Sequence, residues 1–259
     1  MDRYLIYCQG DILLDNEGNI PLAIPDGLVL KPWNRVTCVM HGGHQCHILR
    51  TDAPPAGLRG GRMVPLRQSY NLLSEDDYLL AGKGAELIYF DRNSRFCGVC
   101  GAPMRWQTGI SKQCTECRKE LWPNLAIAII VRIERDDSIL MVHARNFRDR
   151  HYGLVAGFVE TGETLEQCVR REVMEETGIT ISHIQYFGSQ PWPYPSGLMV
   201  GFTARYECGE MHLQNEELSA GGWFTRDRLP VLPDACSIAR LLVDDWIRQG
   251  AHMPAATQD

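Results

Sequence analysis

No stretch of this 259-residue chain is apolar for long enough to cross a bilayer. A membrane helix needs about 18 or more apolar residues in succession, and the longest clean run, Leu125 to Val131, falls far short. The first fifteen residues hold only the apolar stretch Tyr4 to Cys8 and no small-residue cleavage pattern, so a soluble, cytoplasmic protein with no membrane partner is expected. Positive charge is also scarce: 26 Lys and Arg stand against 32 Asp and Glu, a net charge of −6. That balance excludes a broad nucleic-acid-binding surface, and any anionic substrate would need cations at its site. Repeats and low-complexity segments are missing too, which excludes solenoids and fibrous arrays.

Apolar residues make up 44% of the chain, enough for an ordinary core. The length suits one catalytic domain with a smaller partner. Turn signals at Asn16-Glu17-Gly18-Asn19, Pro25-Asp26-Gly27 and Gly60-Gly61 punctuate short β-like runs. A β-rich N-terminal domain is therefore expected over 1–94, closing with a helix from Asp76 to Phe90 that Gly82 and Gly84 weaken.

Ten cysteines are not few, and four of them are ordered. Cys97-x2-Cys100 and Cys114-x2-Cys117 are two knuckles thirteen residues apart, with Gly98 and Gly101 for tight turns. Four thiolates at that spacing suit one tetrahedral Zn2+ with no open position, a structural ribbon over 95–122. The spacer offers only Arg105, Lys112 and Trp106 for nucleic acid. Cys8, Cys38, Cys46, Cys168, Cys208 and Cys236 read as small buried hydrophobes. Cys38, His41, His44, Cys46 and His47 crowd together, but Gly42-Gly43 between them signals a hairpin turn, and alternation along strands would keep the five apart.

The most informative string runs from Gly157 to Ile179. It reads Gly157-x5-Glu163-x7-Arg171-Glu172-Val173-x-Glu175-Glu176-x-Gly178-Ile179. Thr164 is the expected N-cap of a helix ending at Thr177, with Gly178 just beyond. On that helix Glu172, Glu175 and Glu176 share one face. Such crowding is either a solvated acidic surface or a site for a hard divalent cation, Mg2+ or Mn2+, which prefers carboxylate oxygens and bridges to phosphate. The fixed offsets of Gly157, Glu163, Arg171 and Gly178 favour the cation.

After Trp122-Pro123, strands are expected at Leu125–Ile133, Ile139–His143, Ile184–Ser189, Leu198–Tyr206 and Gly221–Phe224. A last helix is expected at Ile238–Arg248. Mixed strands around two helices predict an α/β class, an α/β/α sandwich over 123–250, with a disordered tail over 251–259. Ser189-Gln190-Pro191-Trp192-Pro193-Tyr194-Pro195 reads either as a stiff loop holding Trp192 and Tyr194 out for ring stacking, or as a connector packed into a core.

The string from Gly157 resembles the Nudix box, whose enzymes hydrolyse nucleoside diphosphate derivatives with metal-activated water. Ribbon, box and Ser-Gln-Pro-Trp-Pro-aromatic-Pro together, over about 75–245, resemble the NADH pyrophosphatases of that superfamily. The resemblance implies hydrolysis of NADH, and less well NAD+, to nicotinamide mononucleotide and AMP, and removal of NAD caps from RNA 5′ ends. It implies Mg2+ or Mn2+ on Glu172, Glu175, Glu176 and the more distant Glu217, with Glu176 activating water and Glu163 and Arg171 bracing the loop as an ion pair. It implies substrate contacts at Arg67, Trp122, Ala156, Phe158, Gln190, Pro191, Trp192, Pro193, Tyr194, Pro195, Ser196, Gly197 and Ala239. It further implies a homodimer in which one subunit's motif loop completes the other's site. Three positions depart from the family pattern: Tyr194 replaces Phe, Gly197 stands where the final motif Ser belongs, and Gly101 to Gln113 lacks the family's substrate-contacting glutamate. A preference for ADP-ribose or diadenosine polyphosphates therefore stays open, as does a zinc-ribbon regulator that only senses a nucleotide.

Overall fold

The short apolar runs of the first hundred residues pair into a single sheet. In the computed structural model, which describes residues 1–53, 60–146 and 150–251, these strands are β1 (Arg3–Cys8), β2 (Asp11–Asp15), β3 (Arg35–His41), β4 (His44–Thr51) and β5 (Gly61–Pro65). Their order is β3-β4-β1-β2-β5, with β1 and β4 parallel and the other neighbours antiparallel. Gly42 and Gly43 join β3 to β4 at φ 55° and 78°, the left-handed backbone that a two-residue hairpin turn demands. The histidines of this hairpin go separate ways. His41 Nε2 lies 2.8 Å from Asp76, His47 Nε2 3.0 Å from Asp2, and His44 Nδ1 3.2 Å from the N-terminal amine.

The helix α1 (Glu75–Asn93) is longer than the pattern predicts, because Ser74 caps it by accepting the Asp77 N–H. Its Tyr78, Leu80, Ala81, Leu87 and Ile88 pack on the sheet. The two helix-weakening glycines are explained by close approach. A β-carbon at Gly84 would strike the Tyr7 ring, whose hydroxyl donates to Ala81 O at 2.5 Å, and one at Gly82 would lie 3.1 Å from Pro193. Three short strands follow, β6 (Met104–Trp106), β7 (Lys112–Cys114) and β8 (Glu120–Leu121), in that spatial order. The Lys112 side chain of β7 is buried, its ammonium 5.6 Å from the Phe90 ring, 5.1 Å from the Trp106 ring and 2.8 Å from Asp91.

A second sheet is built around β9 (Ala126–Arg135). Its partners are β10 (Ser138–Ala144), β11 (Val155–Phe158), β12 (Thr180–Trp192), β13 (Gly197–Cys208) and β14 (Leu218–Thr225). The path is β12-β13-β9-β10-β14, with β11 also paired to β9; β13 runs parallel to β9 and β10 antiparallel. Alternation along β9 builds two cores. Ile129, Val131 and Ile133 face α2 (Leu165–Thr177), and Ile130 faces α3 (Ile238–Ala251). The two helices thus cover opposite faces, an α/β/α sandwich with a mixed sheet. Arg132 interrupts the apolar run on the α3 side and is satisfied there by Leu242 O at 2.6 Å and Asp245 at 2.9 Å.

By its contacts the chain divides into two units, 1–125 with 191–196, and 126–190 with 197–259. Two expectations need correction. The stretch Ser189 to Trp192 belongs to strand β12 rather than to a loop; β12 lies at the sheet edge, where a proline such as Pro191 is tolerated. Cys38 and Cys208 are exposed, because β3 turns Val36 and Val39 inward instead and Cys208 is the last residue of β13. Among the described residues no helix is long and apolar enough to cross a membrane. The tail expected to be disordered lies, beyond residue 251, outside the described residues.

Candidate active site

The helix α2 starts and stops where its chemistry dictates. Thr164 accepts the Gln167 N–H while Gln167 accepts the Thr164 N–H, a reciprocal capping box. Gly178 ends the helix at φ 70°, returning its N–H to Met174 O. Cys168, Val169, Val173 and Thr177 form the buried stripe, and Glu176 lies on it at 5% exposure. Burying each valine contributes roughly 1.5–3 kcal/mol. That anchorage lets the helix carry carboxylates that would otherwise repel it from this position.

Arg171 is the hub. Its Nε and Nη2 donate to the two oxygens of Glu163 at 2.9 and 3.0 Å, and Nη1 reaches Glu172 at 2.8 Å and Glu175 at 3.0 Å. Nη2 also donates to Phe158 O at 3.0 Å, tying the loop to the helix. The guanidinium pulls the Glu163 carboxyl down to about 2. Under the loop the Cys168 thiol is buried and pushed up to about 12 by desolvation and then by Glu163, so it is not a nucleophile.

Glu176 differs from its neighbours. Among the described residues no hydrogen-bond donor or cation touches its carboxylate, and burial, then Glu172, Glu217 and Glu175, raise it to about 8. Burial likewise raises Glu172. A buried carboxyl facing three other carboxylates, with no cation of its own, is an arrangement that a divalent ion resolves; among the described residues the four glutamates do not close into one cluster as the ribbon thiols do, Arg171 holding Glu172 and Glu175. Gly157 on β11 leaves the room for this: a β-carbon there would collide with the Glu172 carboxylate.

Glu217 comes from a distant segment, brought in by backbone bonds. His212 N–H donates to Thr177 O and Gln214 N–H to Glu176 O, both at 2.9 Å, pinning the segment to the end of α2. Arg145, which sequence reasoning missed, holds it from the other side. Its N–H donates to Glu217 O at 2.8 Å, and its Nε donates to Asn215 O. No local signal marks Arg145, since the bond spans 72 residues of chain.

A Nudix domain model matches residues 122–245, spanning this loop, helix and distant glutamate. Residues 122–245 are a Nudix domain. This Nudix protein is 45% identical over 171 residues to the NAD-capped RNA hydrolase NudC of Citrobacter koseri, and 44% identical to that of Salmonella agona. Each match covers 66% of this chain and 66% of the relative, so the chain spans just under two thirds of the relatives' length. Among solved structures, a NUDIX hydrolase from Nitrosomonas europaea is similar in fold, with a TM-score of 0.52 and 21% identity, over 62% of this chain and 95% of that one.

The remaining residues of interest in the Nudix protein fall into two groups. In the C-terminal unit, Phe158 is 66% exposed beside the box, Ala156 is half-buried, and Ala239 is buried on α3. The Gln190 side chain holds the start of α3: it accepts the Ile238 N–H and donates to Cys236 O, both at 2.8 Å. Gly197 is the first residue of β13, paired with Ala126.

In the N-terminal unit, Trp192 lies under the Arg67 guanidinium at 5.5 Å and meets the Tyr194 ring edge-on at 5.2 Å. Tyr194 is not held out in solvent. It packs on the N-terminal core, its hydroxyl 2.8 Å from that of Tyr78, because Pro193 seats the segment against Gly82 of α1. Ser196 is buried and donates to Asn124 O, Pro191 and Pro195 are exposed, and Trp122 is half-exposed.

The four ribbon thiols converge, all within 4.8 Å of one another. Cys97 and Cys117 lie 3.6 Å apart and Cys100 and Cys114 3.4 Å, too far for disulfides and suited to one shared ion. Burial opposes ionisation of Cys114, yet the Glu116 and Cys117 N–H groups lower its thiol to about 6. Gly101 turns the first knuckle at φ 75°, and Arg118 adopts φ 63° just after the second. The hairpin histidines join no such cluster among the described residues.

Proposed function

We propose that this Nudix protein is a metal-dependent pyrophosphohydrolase that cleaves NADH and NAD+ to nicotinamide mononucleotide and AMP, and removes NAD caps from RNA 5′ ends. The observation that carries the hydrolytic reading is Glu176, buried and unpartnered among Glu172, Glu175 and Glu217. The 45% identity to an NAD-capped RNA hydrolase supports the substrate class.

Mg2+ or Mn2+ on the four glutamates would supply Lewis acidity toward the pyrophosphate and toward water. Glu176, in its ionised form, takes a proton from the attacking water. The water oxygen bonds to phosphorus as the bridging P–O bond breaks, and the displaced phosphate carries away the negative charge. Arg171 and Glu163 hold the loop so that Glu172 and Glu175 keep their positions. Phe158, Ala156 and Ala239 contact the substrate, and Gln190, Pro191, Trp192, Pro193, Tyr194, Pro195, Ser196 and Gly197 of the other subunit's motif loop, with Trp122 and Arg67, complete the site.

The ribbon cysteines hold one structural Zn2+ per subunit, the modules divide at 94/95, 122/123 and 250/251, and the protein acts as a cytoplasmic homodimer. Gly197, lacking a hydroxyl, keeps ADP-ribose as the competing substrate. Parallel assays of NADH, ADP-ribose and NAD-capped RNA, each with Mg2+ or Mn2+, test the reading. The highest kcat/KM is expected for NADH or the capped RNA; a clear preference for ADP-ribose would refute the assignment.

A further inference from the structure

A cavity of about 310 Å³ opens in the N-terminal unit, and every residue lining it belongs to that unit. Leu66, Ile88, Tyr89 and Tyr194 give it an apolar, aromatic wall, and Arg50 and Arg92 bring two guanidinium groups to it. The volume stands at the low end of the roughly 300–1,000 Å³ typical of small-ligand pockets. It suits a single nucleotide better than a dinucleotide.

Arg50 supplies an independent observation. Its side chain is only 15% exposed, and its Nη1 is enclosed with no hydrogen-bond partner among the described residues. The Asp91 Oδ2 lies 3.8 Å away, beyond hydrogen-bond reach, and the other oxygen of that carboxylate is 2.8 Å from Lys112 Nζ. A buried guanidinium N–H without an acceptor is unfavourable, and native proteins carry few. Among the described residues nothing supplies that acceptor, and an anionic group bound at Arg50 would offset the buried charge.

The geometry points to a binding subsite for a nucleoside 5′-monophosphate, its base against Tyr89 and Tyr194 and its phosphate on Arg50 and Arg92. Guanidinium groups match phosphate oxygens in charge and fork geometry. Aromatic side chains accept any base by its π-face, so this subsite would be indifferent to base identity. The same chemistry is presented by a free mononucleotide and by a nucleotide within an RNA strand. Only the second source rests on the decapping activity proposed above.

Uridine 5′-monophosphate is the probe, because it is not a product of the proposed reaction. Binding to the intact protein is measured by calorimetry without added Mg2+ or Mn2+. One saturable site is expected, with uridine and inorganic phosphate each binding about tenfold or more weakly. Arg92→Glu and Tyr89→Ala, both at exposed positions of α1, should each weaken UMP binding by about tenfold while the melting temperature and NADH hydrolysis stay unchanged. Absence of a saturable site overturns the proposal, as does equal affinity in the wild type and both variants, or phosphate binding as tightly as UMP. A raised KM for NAD-capped RNA in Arg92→Glu, with that for NADH unchanged, identifies the RNA strand as the source. An unchanged KM for the RNA, with UMP binding lost, identifies the free nucleotide. Saturable UMP binding that both variants lose, in a protein that hydrolyses neither NADH nor capped RNA, would refute the proposed function and leave the subsite standing.

Discussion

Gly157 and Glu172 occupy adjoining space so closely that a β-carbon on the glycine would overlap the carboxylate. The bare backbone of β11 is therefore part of the acidic site. Gly157→Ala should fold, since the change is confined to the face beneath the helix, but it should push Glu172 aside. The Mg2+ concentration for half-maximal activity is expected to rise by about 10–100-fold. Unaltered metal activation would mean that the carboxylate moves freely and that the glycine has no part in the acidic site.

Glu176→Gln should lose about 10²–10⁴ in kcat, the range for a removed general base, while substrate binding persists. The same variant has a stability signature. In metal-free protein Glu176 holds its proton up to about 8, whereas an ordinary glutamate releases it near 4.5. The folded state therefore binds more protons than the unfolded state between those values, and stability falls as pH rises through that window. Glu176→Gln should remove this slope and raise the melting temperature of the metal-free protein at pH 8. Parallel melting curves from pH 5 to 8 for variant and wild type would contradict the assignment.

The Arg171–Glu163 pair works in the opposite sense. Glu163 is held at about 2, so its stabilising contribution is present above pH 4.5 and lost as pH falls through about 2. Arg171→Lys forfeits the two-pronged contact. Acid unfolding of the variant should begin at higher pH than in the wild type, and its metal requirement should increase because Glu172 and Glu175 lose their shared donor. Coincident acid transitions would show that the pair adds nothing to stability.

Two classes of metal should be separable. Brief EDTA treatment followed by Mg2+ or Mn2+ should restore activity while about one zinc per chain is retained, since a closed thiolate site binds far more tightly than carboxylates. Cys114→Ser should lower the melting temperature, because Cys114 lies at the centre of the small ribbon core with Cys97 and Met104. A fully folded and active protein that has lost all zinc would overturn the ribbon assignment.

Trp192→Ala should reduce kcat/KM for NADH by about five- to 150-fold, the equivalent of roughly 1–3 kcal/mol of ring stacking. Equal loss for ADP-ribose would assign Trp192 to the adenine; loss for NADH alone would assign it to the nicotinamide. Tyr194→Phe and Tyr78→Phe each break the hydroxyl pair that seats the segment, so both should share a smaller defect of the same kind. If Trp192→Ala has wild-type kinetics on both substrates, the segment is a connector only.

Much of the C-terminal unit was legible in the sequence because its signals are local. Thr164, Gln167 and Gly178 cap α2 through bonds spanning three or four residues, and helical spacing alone puts Glu172, Glu175 and Glu176 together. Four cysteines in two knuckles likewise announced one centre, and Gly42-Gly43 announced a hairpin. The strand Val155–Phe158 went unread because it is only four residues long and its middle is Ala-Gly.

By itself the sequence determined the box, the ribbon and the alternating strands, since each depends on residues close in the chain or on a short period. Only the tertiary structure decided which side of each residue is dry and what fills it. Glu176 is poised at about 8 because folding excludes water and gathers Glu217 from forty-one residues away, held by Arg145 and the end of α2. Tyr194 reads as a free aromatic in its proline-rich string, yet it lies against α1 because Gly82 admits Pro193 and Tyr78 meets its hydroxyl. Burial and long-range pairing are properties of the assembled sheet, not of any segment, and no local pattern encodes them.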